Sequence, residues 1–255
     1  MTLLRLVTCA LAALLLAGGA VGAEDLAALK KRLLPGIKGE DNRQIVDSSD
    51  YPWSAIGRVN TRIGGFCTGT VIGPRDVLTA AHCLWNKRTR NWLTPEAVNF
   101  LAGYRRGEFI AHGKVVDYTL ADPLVTPRDG PRFRPNDWAI FRLAEPIDGI
   151  TGTLTLGLSG TPVDVYLQAG YSKDKPHILT LDEGCQVYDQ PSDSGLMFHG
   201  CDAVSGDSGS PILGLSGDAL VVLGVHVATV RRENRESLGI AIPIDSVAEA
   251  ANPTP

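Results

Sequence analysis

Gly206-Asp207-Ser208-Gly209-Ser210-Pro211 sets one serine inside a glycine-flanked turn. A serine hydroxyl is a poor nucleophile near neutral pH until a base takes its proton and a carboxylate orients that base. Upstream, Thr79-Ala80-Ala81-His82-Cys83 offers the base and Asn136-Asp137-Trp138-Ala139-Ile140 offers the carboxylate. In this reading Ser208 attacks, and His82 acts first as base and then as acid for the leaving group. Asp137 accepts from the other ring nitrogen and fixes the tautomer. Glycine permits a tight turn that aims main-chain N–H groups outward. The N–H groups of Gly206 and Ser208 are then the expected donors to a substrate oxyanion, and losing one such donor slows turnover about 10²–10³-fold. A protein nucleophile of this kind needs no metal and no organic cofactor.

The rest of the chain is compatible with this chemistry. Its 255 residues are 44% hydrophobic and 20% charged, which allows a packed core. The net charge of −4 argues against nucleic acid as a partner. Short basic pairs such as Lys87-Arg88, Arg105-Arg106 and Arg231-Arg232 read as solvated surface.

Residues 1–23 read as a secretory signal. Arg5 supplies the positive start, Leu6 to Leu16 is apolar but too short to span a bilayer, and Val21-Gly22-Ala23 fits a small-residue cleavage site. The mature chain is therefore expected to be secreted, extracellular or periplasmic, with no membrane association after signal removal, and monomeric. Cys9 leaves with the signal. Cys67, Cys83, Cys185 and Cys201 remain, an even number that favours disulfides in an exported chain. Three pairings are open. Proximity favours Cys67–Cys83 and Cys185–Cys201, each closing a loop of about 16 residues and worth roughly 3 kcal/mol in the chain-entropy model.

Residues 24–40 differ in character: Leu26, Leu29 and Leu33 share a helical face beside Lys30, Lys31 and Arg32. They read as a propeptide, or alternatively as an N-terminal helix that stays attached. From Gln44 onward short apolar or alternating segments dominate: residues 54–59, 66–72, 98–102, 138–143, 163–169, 220–228 and 239–244, separated by Gly and Pro. Helical spacing returns only at 245–251, where Asp245 is placed to cap a short last helix. The fold class is all-β, a barrel pair or a sandwich, with a crossing between halves near 145–160. The halves are read as 41–148 and 149–255.

The three serine, histidine and aspartate motifs, in order, resemble the signatures of trypsin/chymotrypsin-like serine endopeptidases. Phe66-Cys67-Thr68-Gly69-Thr70-Val71-Ile72 also resembles the strand before the family's histidine. The resemblance spans roughly residues 41–244. It implies two antiparallel β-barrels with the site in the cleft between them, His82 and Asp137 from the first barrel and Ser208 from the second. It also implies polypeptide substrates and a Cys67–Cys83 pair. Asp41-Asn42-Arg43-Gln44-Ile45-Val46-Asp47-Ser48-Ser49 resembles the start of the bacterial V8/glutamyl-endopeptidase branch. A second reading takes Arg43-Gln44-Ile45-Val46 as a trypsin-type activation site whose freed amine pairs with Asp207. The glycines expected after Ile-Val are absent, which favours the first reading and leaves Asp207 in need of an arginine or N–H partner.

The specificity pocket is expected to involve Asp202, His226, Thr229 and Gly239. Asp202 stands six residues before Ser208, where trypsin-like enzymes bind Arg or Lys. His226 stands where glutamyl endopeptidases bind an acidic side chain. Thr229 occupies a usual glycine position, which favours small residues. Basic, acidic and small or apolar preferences therefore all remain open. Asp122, Asp129 and Asp148 are rival orienting carboxylates, but each lies in a Pro/Gly-rich stretch. His112, His177 and His199 read as ordinary histidines without metal-ligand spacing. A catalytically silent binding module with Trp53, Trp85 and Trp92 as a recognition patch is the rival function. A quality-control protease with an appended peptide-binding domain is disfavoured by the short stretch after the second barrel.

Overall fold

A computed structural model describes residues 34–122, 135–188, 195–232 and 235–251. The export signal, most of the 24–40 segment and Asp129 lie outside the described residues. Gly36 onward belongs to one compact unit.

Strands Ile56–Thr61, Phe66–Val71, Asp76–Thr79, Ala139–Leu143, Ala111–Leu120 and Val98–Ala102 hydrogen-bond in that order and close into a barrel. Alternation dictates which way each side chain points. Val98, Phe100 and Ala102 are buried while Asn99 and Leu101 are less so, and Ala139, Phe141 and Leu143 repeat the pattern. Phe100 and Phe141 are fully buried, and truncating such a side chain to alanine costs about 3–5 kcal/mol.

The second sheet has nine strands and forms a half-barrel. Its path runs through Gln44–Ile45, Thr180–Glu183, Val165–Gly170, Pro211–Ser216, Ala219–Arg232, Arg235–Pro243, Met197–His199 and Val187–Tyr188. Thr155–Leu156 adds in parallel to Ala219–Arg232. Gln44 and Ile45 pair with Leu181 and Thr180, so the chain's first strand joins the second sheet and not the barrel that follows it. The long strand Ala219–Arg232 has a register shift between His226 and Ala228. Such bulges bend a strand and re-aim its side chains. The short helix Ile244–Ala251 follows without a break. Asp245, in its first turn, accepts from the Ser159 N–H and hydroxyl and ties down that loop.

Thr68 is one of the residues that join the two halves. The Thr68 hydroxyl donates to the Gly206 carbonyl at 3.1 Å and accepts from the Tyr171 N–H at 2.9 Å. The Thr68 N–H donates to the Ser208 carbonyl at 2.9 Å. Disulfides join Cys67 to Cys83 and Cys185 to Cys201. The first ties strand Phe66–Val71 to the 3₁₀ turn Ala81–Leu84, which carries His82.

Candidate active site

His82 and Asp137 come from the two ends of adjacent barrel strands. Asp76–Thr79 runs into the 3₁₀ turn, and Ala139–Leu143 starts just after Asp137, paired to it through Thr79 and Ala139. Asp137 grips the histidine twice. Oδ1 accepts the His82 main-chain N–H at 2.8 Å, and Oδ2 lies 2.8 Å from ring Nδ1. With the carboxylate ionised, Nδ1 carries the proton and Nε2 is left as the basic nitrogen. Burial pulls the imidazole pKa down. The Asp137 charge and hydrogen bond overcome that pull, so the ring protonates above its usual value. Both side chains keep about a third of their exposure, 32% and 29%, as a site open to substrate requires.

Ser208 lies beside this pair. Its carbonyl accepts from Thr68 and sits 3.9 Å from Cys83 Sγ, one residue past His82. Of the residues 206–211, Ser208 alone is not buried. Gly206 has φ +102° and Gly209 has φ +84°, which strains any side chain there. A methyl on Gly206 would also come within 2.5 Å of the Tyr171 carbonyl and 2.7 Å of Phe66 Cε2. Among the described residues no acceptor meets the N–H of Gly206 or Ser208. The turn thus presents a partly exposed serine and two free N–H donors, packed against the 3₁₀ turn that carries the oriented imidazole. Such a set can form and stabilise a tetrahedral adduct on a carbonyl.

Asp202, His226, Thr229 and Gly239 come together behind the serine turn. Thr229 pairs with Gly239 across two strands, and its hydroxyl donates to the Ala203 carbonyl at 3.0 Å. The Gly209 N–H donates to the His226 carbonyl at 2.7 Å. Asp202 is not a free carboxylate: Oδ1 accepts the Lys38 N–H at 2.6 Å, while Oδ2 is buried without a partner. Burial raises its pKa to about 6. The Lys38 ammonium donates to the carbonyls of Gly36 and Cys201. His226 Nδ1 lies 2.9 Å from His199 Nε2, and His199 Nδ1 accepts the Cys201 N–H at 3.2 Å. Burial drives both rings toward the neutral form, His226 down to about 3. The chain of acceptors then fixes the tautomers: His199 donates from Nε2, His226 accepts at Nδ1, and His226 keeps an Nε2–H donor. A methyl on Gly239 would overlap the His199 ring. Gly239→Ala is therefore expected to cost about 1–3 kcal/mol, seen as a lower denaturant midpoint. An unchanged midpoint would contradict this packing.

Residues 39–251 match the Trypsin family. The chain belongs to that family. It is 26% identical over 181 residues to a glutamyl endopeptidase of Bacillus licheniformis, covering 69% of this chain and 54% of the relative. It is 27% identical over 222 residues to serine protease 23 of Macaca mulatta, covering 76% and 55%. The chain thus spans about half the length of these two relatives. A solved Glu endopeptidase in complex with MPD superposes with TM-score 0.67 at 20% identity, covering 84% of this chain and 97% of that one. The thermostable serine protease AL20 from an extremophilic microorganism superposes with TM-score 0.61 at 16% identity, covering 77% and 94%.

Within this Trypsin-family chain, three residues near the site escaped the sequence reading of it. His199, read as an ordinary histidine, is buried and hydrogen-bonded to His226 and lies against Gly239. Lys38 falls in the segment read as a propeptide, yet it is docked on Asp202. Ser172 accepts from Arg43 Nη1 at 2.8 Å and donates to Asp207 Oδ2 at 2.7 Å. Asp207 thus has the expected N–H partner in Val204, at 2.8 Å, and Arg43 reaches it only through the Ser172 hydroxyl. Arg43 is buried, and Ile45 is paired inside a strand, which disfavours the trypsin-type activation reading. His112 and His177 hydrogen-bond to Asn99 and Tyr104. Trp85 is buried and Trp53 and Trp92 pack against the core, which removes the proposed aromatic recognition patch. Among the described residues two groupings with metal-like spacing, Cys67/His82/Cys83 and Asp182/Cys185/Cys201, each contain a disulfide, so neither offers a thiolate ligand.

Proposed function

We propose that the protein is an exported serine endopeptidase that hydrolyses peptide bonds through an acyl-enzyme on Ser208. The observation that carries this reading is the double grip of Asp137 on His82, ring and main chain both at 2.8 Å, beside the one accessible residue of the glycine turn. Ser208 Oγ attacks the substrate carbonyl carbon while His82 Nε2 takes its proton. The N–H groups of Gly206 and Ser208 stabilise the oxyanion. Collapse expels the amine, which takes the proton back from His82. Water then repeats the sequence on the acyl ester and frees Ser208. Export is supported by the apolar N-terminal stretch and by two disulfides, which persist in oxidising compartments. The purified protein is expected to cleave a denatured protein substrate and to give a burst of about one product equivalent with an activated ester. Absence of both contradicts the proposal.

A second observation bears on selectivity. Asp202 Oδ1 is engaged by the Lys38 main-chain N–H and its Oδ2 is buried, whereas His226 has an Nε2–H donor with no acceptor among the described residues and feels the Lys38 charge. This environment favours an acidic P1 side chain over a basic one. Cleavage-site profiling across a peptide library is expected to enrich Glu before the scissile bond. Enrichment of Arg or Lys would contradict this pocket reading and point to Asp202.

A further inference from the structure

We propose that Ser172 and Arg43 form a positioning relay that holds Asp207, and through it the Gly206–Ser208 turn, in the conformation able to bind the oxyanion. The relay rests on the proposed peptidase mechanism but concerns residues that mechanism does not use. Asp207 is 1% exposed and Ser172 and the Arg43 side chain are equally enclosed, at 0% and 2%. A buried carboxylate next to a catalytic turn needs donors, or it forces the turn to rearrange to find them. Asp207 receives two on Oδ2: the Val204 N–H at 2.8 Å and the Ser172 hydroxyl at 2.7 Å. The direction of the relay is set by chemistry. Arginine only donates, so Ser172 Oγ accepts from Arg43 and must turn its own hydrogen toward Asp207.

Arg43 is fixed in turn. Asp41 takes Nε and Nη2 at 2.8 and 2.9 Å, Asp174 takes Nη2 at 2.6 Å and Nη1 at 3.3 Å, and Nη1 makes its shorter bond, 2.8 Å, to Ser172. The neighbours of Ser172 also touch the turn. The Lys173 N–H donates to the Ser205 carbonyl at 2.7 Å, and the Tyr171 carbonyl backs Gly206. A methyl on Gly170 would strike Asp207 Oδ1, so the carboxylate lies tight against this wall. The segment 170–173 is thus a template against which the turn is cast, and Ser172 is its hydrogen-bonding contact to Asp207. The partner for Asp207 comes from within the folded chain, with no new chain end required.

The test uses Ser172→Ala in the full protein. The expected result is a fall in kcat of about 10–100-fold with KM changed less than about threefold, because an oxyanion donor acts only in the transition state. Affinity for a peptide boronate, which forms a tetrahedral adduct on Ser208, should fall in parallel with kcat/KM, while affinity for the product peptide should stay unchanged. Ser172→Thr, which keeps the hydroxyl, should recover most of the kcat. Unchanged kcat and boronate affinity in Ser172→Ala would overturn the relay. So would an equal loss of product, substrate and boronate binding. If the alanine variant does not fold, Ser172→Cys, with a similar volume and a weaker donor, should lose kcat at constant KM, and wild-type kcat in it overturns the relay. Wild-type protein without any peptidase activity would count against the proposed function itself, not against the relay.

Discussion

Ser208→Ala is expected to lower kcat by about 10⁶-fold while leaving KM within a few-fold of wild type. The variant lacks the proposed nucleophile, and in the proposed mechanism triad residues act as a unit that loses nearly everything when one is removed. About 10³–10⁴-fold of rate over the uncatalysed reaction should remain, because the free N–H groups of Gly206 and Ser208 survive the substitution. Steady-state assays need enzyme free of wild-type carry-over at that level. Folding should be unaffected, since Ser208 is partly exposed and its main-chain bond to Thr68 does not depend on the side chain. A loss of less than about 10²-fold would mean that another group attacks the substrate.

Asp137→Asn is expected to lower kcat about 10⁴-fold, equivalent to roughly 5.5 kcal/mol of transition-state stabilisation. The amide can donate to Nδ1, which turns the imidazole to the wrong tautomer and places the proton on Nε2. The pH dependence gives a second readout with a definite sign. In the wild type Asp137 holds the His82 pKa above 6.5 against the effect of burial. His82 must be neutral to act as base, so kcat/KM should rise with pH through a value above 6.5. Without the carboxylate only the downward effects of burial and of the Lys87 charge remain, and the acid limb should move to lower pH. The same interaction contributes to stability below about pH 6.5, and that contribution is lost as pH rises through the folded-state value. An acid limb that stays in place in Asp137→Asn would mean that a different group titrates.

Most of the fold is legible where alternation is clean. Val98–Ala102 and Ala139–Leu143 bury every second residue, and both are visible as strands from residue type alone. Ala111–Leu120 is not, because its outward face carries His112, Lys114 and Asp117 and its last residues leave the buried face. Pro211–Ser216 begins on proline and contains Gly214, two strand-disfavouring residues. It succeeds because Gly214 lies under Val163 and Leu223, where a larger residue would collide. Thr180–Glu183 carries a buried Asp182 that reads as loop in isolation, yet its carboxylate accepts the Asp202 N–H. The expected cap at Asp245 is instead an anchor for Ser159.

The site divides along the same line. Ser208, His82 and Asp137 sit in short local motifs, so residue type alone singles them out as candidates, and the His82–Asp137 contact lies at 2.8 Å. The groups around them are assembled from far apart in the chain. Ser172 lies 129 residues from Arg43, and Lys38 lies 164 from Asp202. The His199–His226 contact spans 27 residues and two strands of one sheet. Residue type gives no sign of such pairings; register and the bulge near His226 create them. For this reason the pocket left three preferences open on sequence, and the proposed acidic preference draws on side chains that only the fold assembles.

The most direct measurement is active-site labelling with a fluorophosphonate followed by peptide mapping of the adduct. Wild-type protein should give a single phosphonate on Ser208, with labelling abolished in Ser208→Ala and greatly slowed in Asp137→Asn. No adduct on wild type, or an adduct that persists unchanged in Ser208→Ala, would contradict the assignment of Ser208 as a nucleophile activated by His82 and Asp137.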